Sequence, residues 1–209
     1  EYANYRWVEN DGPTESLYNY SAADGIESKS ISVSAVGTAG QVVKVLVKAT
    51  GRNCDYQFTY LLRNNGIVDM TASYDVNIEN VRRVGMDIVF PEGFDQVEYY
   101  ARGPWENYID RKTASHLGRY TTTVADMFEP YPKPQSMGNR EGLRDLTLKN
   151  PNLNLSIKIQ TVGEVAFSAL HYTDEALKNA NHTWDLMSNE GDIYVHLDAM
   201  QRGEGNGSC

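Results

Sequence analysis

Residues 56–78 read YQFTYLLRNNGIVDMTASYDVNI, and this stretch decides the fold class. Tyr56, Phe58, Tyr60 and Leu62 recur at every second position, the period of a strand with one face turned to a core. Asn64-Asn65-Gly66 then breaks the run with residues that tolerate positive φ, which is the sequence form of a hairpin turn. The return runs roughly from Ile67 to Ile78 and sets Met70, Ala72, Tyr74 and Val76 on one face.

The same alternation extends outward in both directions. Upstream, Ile31, Val33 and Ala35 alternate with serines, and Val43, Val45 and Val47 alternate with Lys44, Leu46 and Lys48; Thr38-Ala39-Gly40 joins the two as a hairpin connection. Downstream come Met86-Ile88-Phe90, closed by Pro91-Glu92-Gly93, and a short strand over Val97–Tyr100. Later strands centre on Leu143–Leu148, on Leu153–Ile159 beyond the turn Asn150-Pro151-Asn152, on Val165–Ala169 and on Ile193–Leu197. One helix is predicted, with Thr173 as N-cap, Asp174 and Glu175 in a first turn facing the positive dipole end, and an end near Asn181. Residues 1–29 are polar and aromatic, with Gly12-Pro13 marking a turn. The expected fold is a single all-β domain over residues 1–209, an antiparallel sandwich with long irregular loops and one short helix.

Bulk properties exclude some classes. With 209 residues, 41% hydrophobic and 22% charged, the chain can bury a sizeable core and is not a disordered segment. A net charge of −9, with no Lys/Arg block, argues against nucleic-acid and anionic-membrane partners. Two cysteines, Cys54 and Cys209, make neither a disulfide framework nor a metal-ligand spacing. No apolar run is long enough to span a bilayer and no signal peptide is visible; the chain reads as a piece of a longer protein, so its compartment is not legible.

The exception to the strand pattern is Val97–Arg144, VEYYARGPWENYIDRKTASHLGRYTTTVADMFEPYPKPQSMGNREGLR. Gly103-Pro104 stops regular pairing, a dense polar and aromatic run follows, and Pro130, Pro132 and Pro134 come in close succession. Such a long ordered excursion from a sheet tends to carry function.

This stretch resembles a known family. Gly103, Pro104, Glu106, Asn107, Tyr108, Asp110 and Arg111 match the GPxENYxDR signature of the C-terminal domain of large bacterial β-galactosidases, in glycoside hydrolase family two. Tyr131-Pro132, Pro134-Gln135, Gly138-Asn139-Arg140 and Arg144 are similar to that family's PYxxPQENGNR…R run. Leu197-Asp198, Gln201, Gly203, Gly205 and Ser208-Cys209 resemble its closing run, and the region near Tyr5-Arg6-Trp7 matches more loosely. Where many relatives carry Glu-Asn, this chain has Ser136-Met137.

The resemblance implies a supersandwich of the galactose mutarotase type, in a domain that starts earlier and ends later than this chain. The parent enzyme would be a retaining β-galactosidase whose catalytic glutamates lie in a (β/α)₈ barrel outside these residues. This domain would pack on the barrel and wall the sugar pocket. Cys209 occupies the position of a Trp or Cys that reaches the sugar, and a Cys there forgoes ring stacking. No cofactor is expected on this chain; the Mg²⁺ and Na⁺ common in such enzymes would sit in other domains, and the parent would be a homo-oligomer.

The residues themselves name no catalytic pair. A retaining glycosidase needs two carboxyl groups about 5 Å apart, and Glu106 and Asp110 beside Arg111 read instead as loop-holding groups. Asn107 and Arg111 suit sugars but equally suit loop carbonyls. His116, His171, His182 and His196 are scattered, without metal-ligand spacing. Three functions follow in order: part of a β-galactosidase, a non-catalytic carbohydrate-binding module, and a mutarotase-type sugar epimerase.

Overall fold

The computed structural model describes residues 26–37, 41–51, 54–77, 83–134, 136–186, 191–201 and 203. The Tyr5-Arg6-Trp7 region, the Thr38–Gly40 connection, Ile78, Gln135 and Cys209 lie outside them. The chain divides into two compact units, residues 20–80 and residues 1–19 with 81–209. Its described strands form antiparallel sheets throughout, as the period-two alternation predicts.

The first unit is a meander of β1 (Ile26–Val36), β2 (Val42–Gly51), β3 (Cys54–Arg63) and β4 (Val68–Val76), in that order. Register sorts its residues by face, because directly paired residues point the same way. Ile31↔Val47↔Phe58↔Ala72 and Val33↔Val45↔Tyr60↔Met70 build the apolar side, with Phe58 edge-on to Tyr74 at 5.8 Å. Ser32↔Leu46↔Thr59↔Thr71 and Ser30↔Lys48↔Gln57↔Ser73 build the other. At the β3–β4 hairpin only Gly66 takes positive φ, at 83°, while the Asn65 side chain accepts from the Ile67 amide at 3.1 Å.

The second unit is a sandwich. One sheet orders β10 (Ala166–Leu170), β11 (Ile193–Gln201) and β5 (Arg83–Phe90); the other orders β7 (His116–Thr123), β6 (Gln96–Gly103), β8 (Asp145–Asn150) and β9 (Leu155–Gln160). Val97, Tyr99 and Ala101 of β6 and Leu146 and Leu148 of β8 meet Phe167, Ala169, Val195 and Leu197 of the facing sheet in one buried cluster. Tyr99 packs edge-on against Phe167 at 5.3 Å, a contact that ties the layers together. The one α-helix among the described residues, α1 (Asp174–Asn179), is shorter than expected; its N-cap is Thr173, whose Oγ1 accepts from the Ala176 amide at 3.1 Å.

Strand β7 was not legible in the sequence and lies within the irregular stretch. Its inner positions are Gly118, Tyr120 and Thr122, so Tyr120 is their one large apolar side chain and no hydrophobic period shows. Backbone pairing to β6 and the Tyr99–Tyr120 contact at 5.4 Å hold it instead.

Candidate functional site

Strand β6 ends at Gly103, where the Gly103–Pro104 peptide is cis. A Cβ at Gly103 would stand 2.7 Å from the Tyr99 hydroxyl and 2.9 Å from the Tyr120 ring, so the strand end admits only glycine. Tyr99 donates to the Pro104 carbonyl at 3.1 Å, fixing where the chain leaves the sheet.

Two adjacent side chains then organise the turn. Asn107 is fully buried and serves backbone groups: its Nδ2 donates to the carbonyls of Trp105 (2.9 Å) and Arg102 (3.2 Å), and its Oδ1 accepts from the Glu141 amide (3.0 Å). Its own amide donates to the Asn139 carbonyl, and Asn139 returns a side-chain bond to the Asn107 carbonyl at 2.7 Å. Such satisfaction is what a buried loop requires.

Glu106 is the hub. Its Oε1 accepts from Arg111 Nη2 at 2.5 Å and from the Tyr131 hydroxyl. Its Oε2 accepts from the Gly138 amide at 3.0 Å, and the Tyr108 hydroxyl lies 3.4 Å from both Oε2 and the Ser136 carbonyl. A carboxylate offers about four lone-pair sites, and here the protein's own donors address both oxygens. The Glu106 side chain is 7% exposed against 51% for Arg111, so the anion is buried and its cation faces water. The Arg111 guanidinium also lies over the buried Tyr108 ring, 5.1 Å from its centroid. Burial lowers its proton affinity, yet the bond to Tyr131 and the Glu106 charge outweigh burial and raise it, keeping the group firmly charged. Burial, and then the Glu106 charge, push the Glu129 carboxyl above its ordinary range.

The first two sequence motifs therefore converge on one another: Glu106 with Tyr131 and Gly138, Asn107 with Asn139, Tyr108 with Ser136. The glycine-rich run joins them at one described point, where Gly203 lies against Asp110. At the departure from the family pattern, Met137 is 1% exposed within the core and its sulfur faces the Glu129 amide at 3.3 Å. Arg140, also buried, donates to the carbonyls of Gly138 and Asn139, and its backbone pairs with Phe167. Cys209 lies outside the described residues.

A second buried polar cluster escaped sequence reasoning. His196 pairs with Asp87 across β11 and β5, with Nδ1 2.5 Å from Asp87 Oδ1 and Nε2 3.5 Å from Asp174 Oδ1. Asp174 also holds Arg83, whose Nε lies 3.7 Å from Asp198 Oδ1. Asp174 thus stands in the first turn of α1 as expected and in addition forms ion pairs across to the sheet. The signal that could have found the cluster is register: pairing β5 with β11 places Asp87 opposite His196. The other histidines lie apart from it: His171 is 3.5 Å from Asp95, and His182 stacks on the exposed Trp184 at 4.3 Å. Among the described residues no group of three or more His, Cys, Asp or Glu is placed to hold a metal ion.

Comparison with known proteins agrees with the motif pattern. The family described as beta galactosidase small chain matches residues 4–209, and this chain belongs to that family. A β-galactosidase of Streptococcus thermophilus is 32% identical over 183 residues, covering 86% of this chain and 17% of that protein. A β-galactosidase of Staphylococcus xylosus is 27% identical over 72% of this chain and 15% of its own length. One from Vibrio vulnificus is 31% identical over 71% of this chain and 14% of its own length. The chain thus spans about a sixth of the length of these relatives.

Proposed function

We propose that this chain is the C-terminal, non-catalytic part of a retaining β-galactosidase of glycoside hydrolase family two. The parent enzyme hydrolyses terminal β-galactosides, lactose among them, with carboxylates that lie outside these residues. This part packs on the catalytic barrel, walls one side of the sugar pocket and brings Cys209 to it. Any Mg²⁺ or Na⁺ of the parent is held by its other domains, and the parent works as a homo-oligomer. The observation that carries the reading is the small-chain family match over residues 4–209 in a chain about a sixth as long as its relatives. The geometry of Glu106 supports its second half. A general acid or nucleophile needs a lone pair or proton free for substrate, whereas both Glu106 oxygens are addressed by internal donors.

The test compares three preparations on a chromogenic β-galactoside: the full-length parent, the parent lacking these residues, and residues 1–209 alone. Only the first should turn over substrate. Hydrolysis by residues 1–209 alone, abolished by Glu106→Gln, would refute the assignment. A carbohydrate-binding role is favoured by Trp105 and Trp184, 72% and 78% exposed. Galactose or lactose should then shift Trp fluorescence without any turnover.

A further inference from the structure

A buried histidine joins α1 to the sheet behind it. In register, His196 of β11 stands between Asp87 of β5 and Ser168 of β10, and its side chain is 2% exposed. Its Nδ1 lies 2.5 Å from Asp87 Oδ1, and its Nε2 lies 3.5 Å from Oδ1 of Asp174, in the first turn of α1. Both ring nitrogens therefore face carboxylate oxygens. A neutral imidazole carries one N–H and would point the lone pair of its other nitrogen at an anion; only the imidazolium can donate on both sides. The second proton belongs to the ring and not to Asp174, whose other oxygen accepts from the buried Arg83 guanidinium. Arg83 Nε in turn lies 3.7 Å from Asp198 Oδ1. The described ionisable groups thus run Asp87, His196, Asp174, Arg83, Asp198 across β5, β11 and α1, and they alternate in sign when His196 is charged. From β10 only the uncharged Ser168 faces the ring. Loss of the imidazolium would leave three carboxylates to one guanidinium in a buried place, which such pairing exists to avoid. Asp87, 38% exposed, is where water and hence protons reach the cluster. Beyond α1 the chain makes the turn Thr183–Asp185, where Thr183 donates to the Tyr131 and Pro132 carbonyls beside the Glu106 hub.

We propose that His196 is a pH-sensitive latch: doubly protonated, it fastens α1 to the β5–β11 pair through Asp174, and its deprotonation above neutral pH loosens α1 and the turn that follows. Burial disfavours the charged ring, but the carboxylates on its two sides outweigh burial and raise its proton affinity above that of the unfolded chain, near pH of about 6.5. The contribution of the latch is therefore complete below pH of about 6.5 and is lost as pH rises through the folded-state value.

The test is hydrogen exchange by mass spectrometry on the full-length parent, across a pH range of about 5.5 to 9.5. Exchange at the imidazole C2 position of His196 should show a midpoint at least about one unit above the ordinary histidine value of about 6.5. A midpoint at or below that value overturns the proposal. Backbone exchange, divided by its intrinsic rate, reads the latch itself. The Leu177 and Ala180 amides, bonded to the Thr173 and Ala176 carbonyls, should open roughly three- to tenfold more per pH unit above about 6.5, while the β8 amides stay flat. No rise in α1 overturns the proposal, and so does an equal rise in β8, which would mean general softening. In His196→Gln the α1 amides should be open at every pH to the level wild type reaches at the alkaline end. A pH-dependent rise surviving in that variant would assign the titration to another group and overturn the proposal. Should His196→Gln not accumulate as folded protein, Asp87→Asn decides: removing one flanking carboxylate should lower the C2 midpoint, and an unmoved midpoint counts against the latch.

Discussion

Replacing Glu106 by Gln keeps the size of the side chain and halves its capacity to accept hydrogen bonds. The amide carbonyl can serve one side of the hub, but the NH₂ group then faces donors on the other. Either Arg111 and Tyr131, or the Gly138 amide, loses its partner. The Gly138 amide is buried, and an unsatisfied buried donor costs about 1–3 kcal/mol. Arg111 is half-exposed and regains water, so its share is about 1 kcal/mol at most. The Tyr108 hydroxyl is offset further by turning to Ser136. The cost is therefore about 1–3 kcal/mol where the Gly138 amide is left over, or roughly a 5- to 150-fold rise in local opening. Hydrogen exchange by mass spectrometry on the full-length parent reads this directly, in peptides carrying the Asn107, Gly138 and Glu141 amides. Arg111→Ala is the control and should cost less than about fivefold in protection. Unchanged protection in Glu106→Gln, or a larger loss in Arg111→Ala, would show that the buried anion is not the centre of the turn.

Three further substitutions probe the same region and its neighbours. Gly138 has φ of +76°, and its Cβ would lie 2.8 Å from the Met127 carbonyl. Gly138→Ala should therefore cost about 2–4 kcal/mol in thermal or exchange stability, against about 1 kcal/mol for Gly163→Ala, whose surroundings are open. Burial raises the Glu141 carboxyl, with the Asn139 bond pulling the other way. The folded state then holds the proton after the unfolded chain has released it near pH of about 4.3, so stability falls as pH rises through that window. Glu141→Gln should accordingly stabilise at neutral pH, and its advantage should vanish below pH of about 4; an advantage independent of pH would contradict the cause. Thr173→Ala removes the cap on Ala176 and should loosen α1 by about 1 kcal/mol, read as faster exchange of its first-turn amides.

The fold was legible wherever a strand has one wet face. In β2, β3 and β4 the residues of the apolar face pair with one another across the sheet, Val47 with Phe58 and Ala72, Val45 with Tyr60 and Met70, so a period of two is imprinted on the sequence. Strand β10 is buried at all five positions, and its small residues, Ala166, Ser168 and Ala169, leave only a weak pattern. Strand β7 fails for a different reason: its stability comes from backbone pairing and the Tyr99–Tyr120 contact, neither of which needs an alternating apolar row.

The site divides along the same line between local and non-local causes. Gly103-Pro104 could be read directly because turn chemistry is local, whereas Glu106, Asn107, Tyr108, Asp110 and Arg111 stood out through their resemblance to the family signature. What they do depends on partners far along the chain, such as Gly138 for Glu106, Asn139 for Asn107 and Gly203 for Asp110. The Arg83, Asp87, Asp174, His196 and Asp198 cluster is the extreme case, assembled from β5, α1 and β11, with no two members adjacent in sequence. Burying such charges is costly unless they are mutually paired, so the cluster restricts how β5, β11 and α1 can come together. Within that restriction β11 delivers Gln201, and with it the approach of Gly203 to Asp110, at one defined place. The buried charges and the signature turn are thus two ends of one constraint on the end of β11. An Arg83→Leu substitution should consequently lower stability by stranding the buried Asp174 and Asp198 carboxylates, read as a drop in Tm, whereas Leu153→Ala at an exposed site should leave it unchanged.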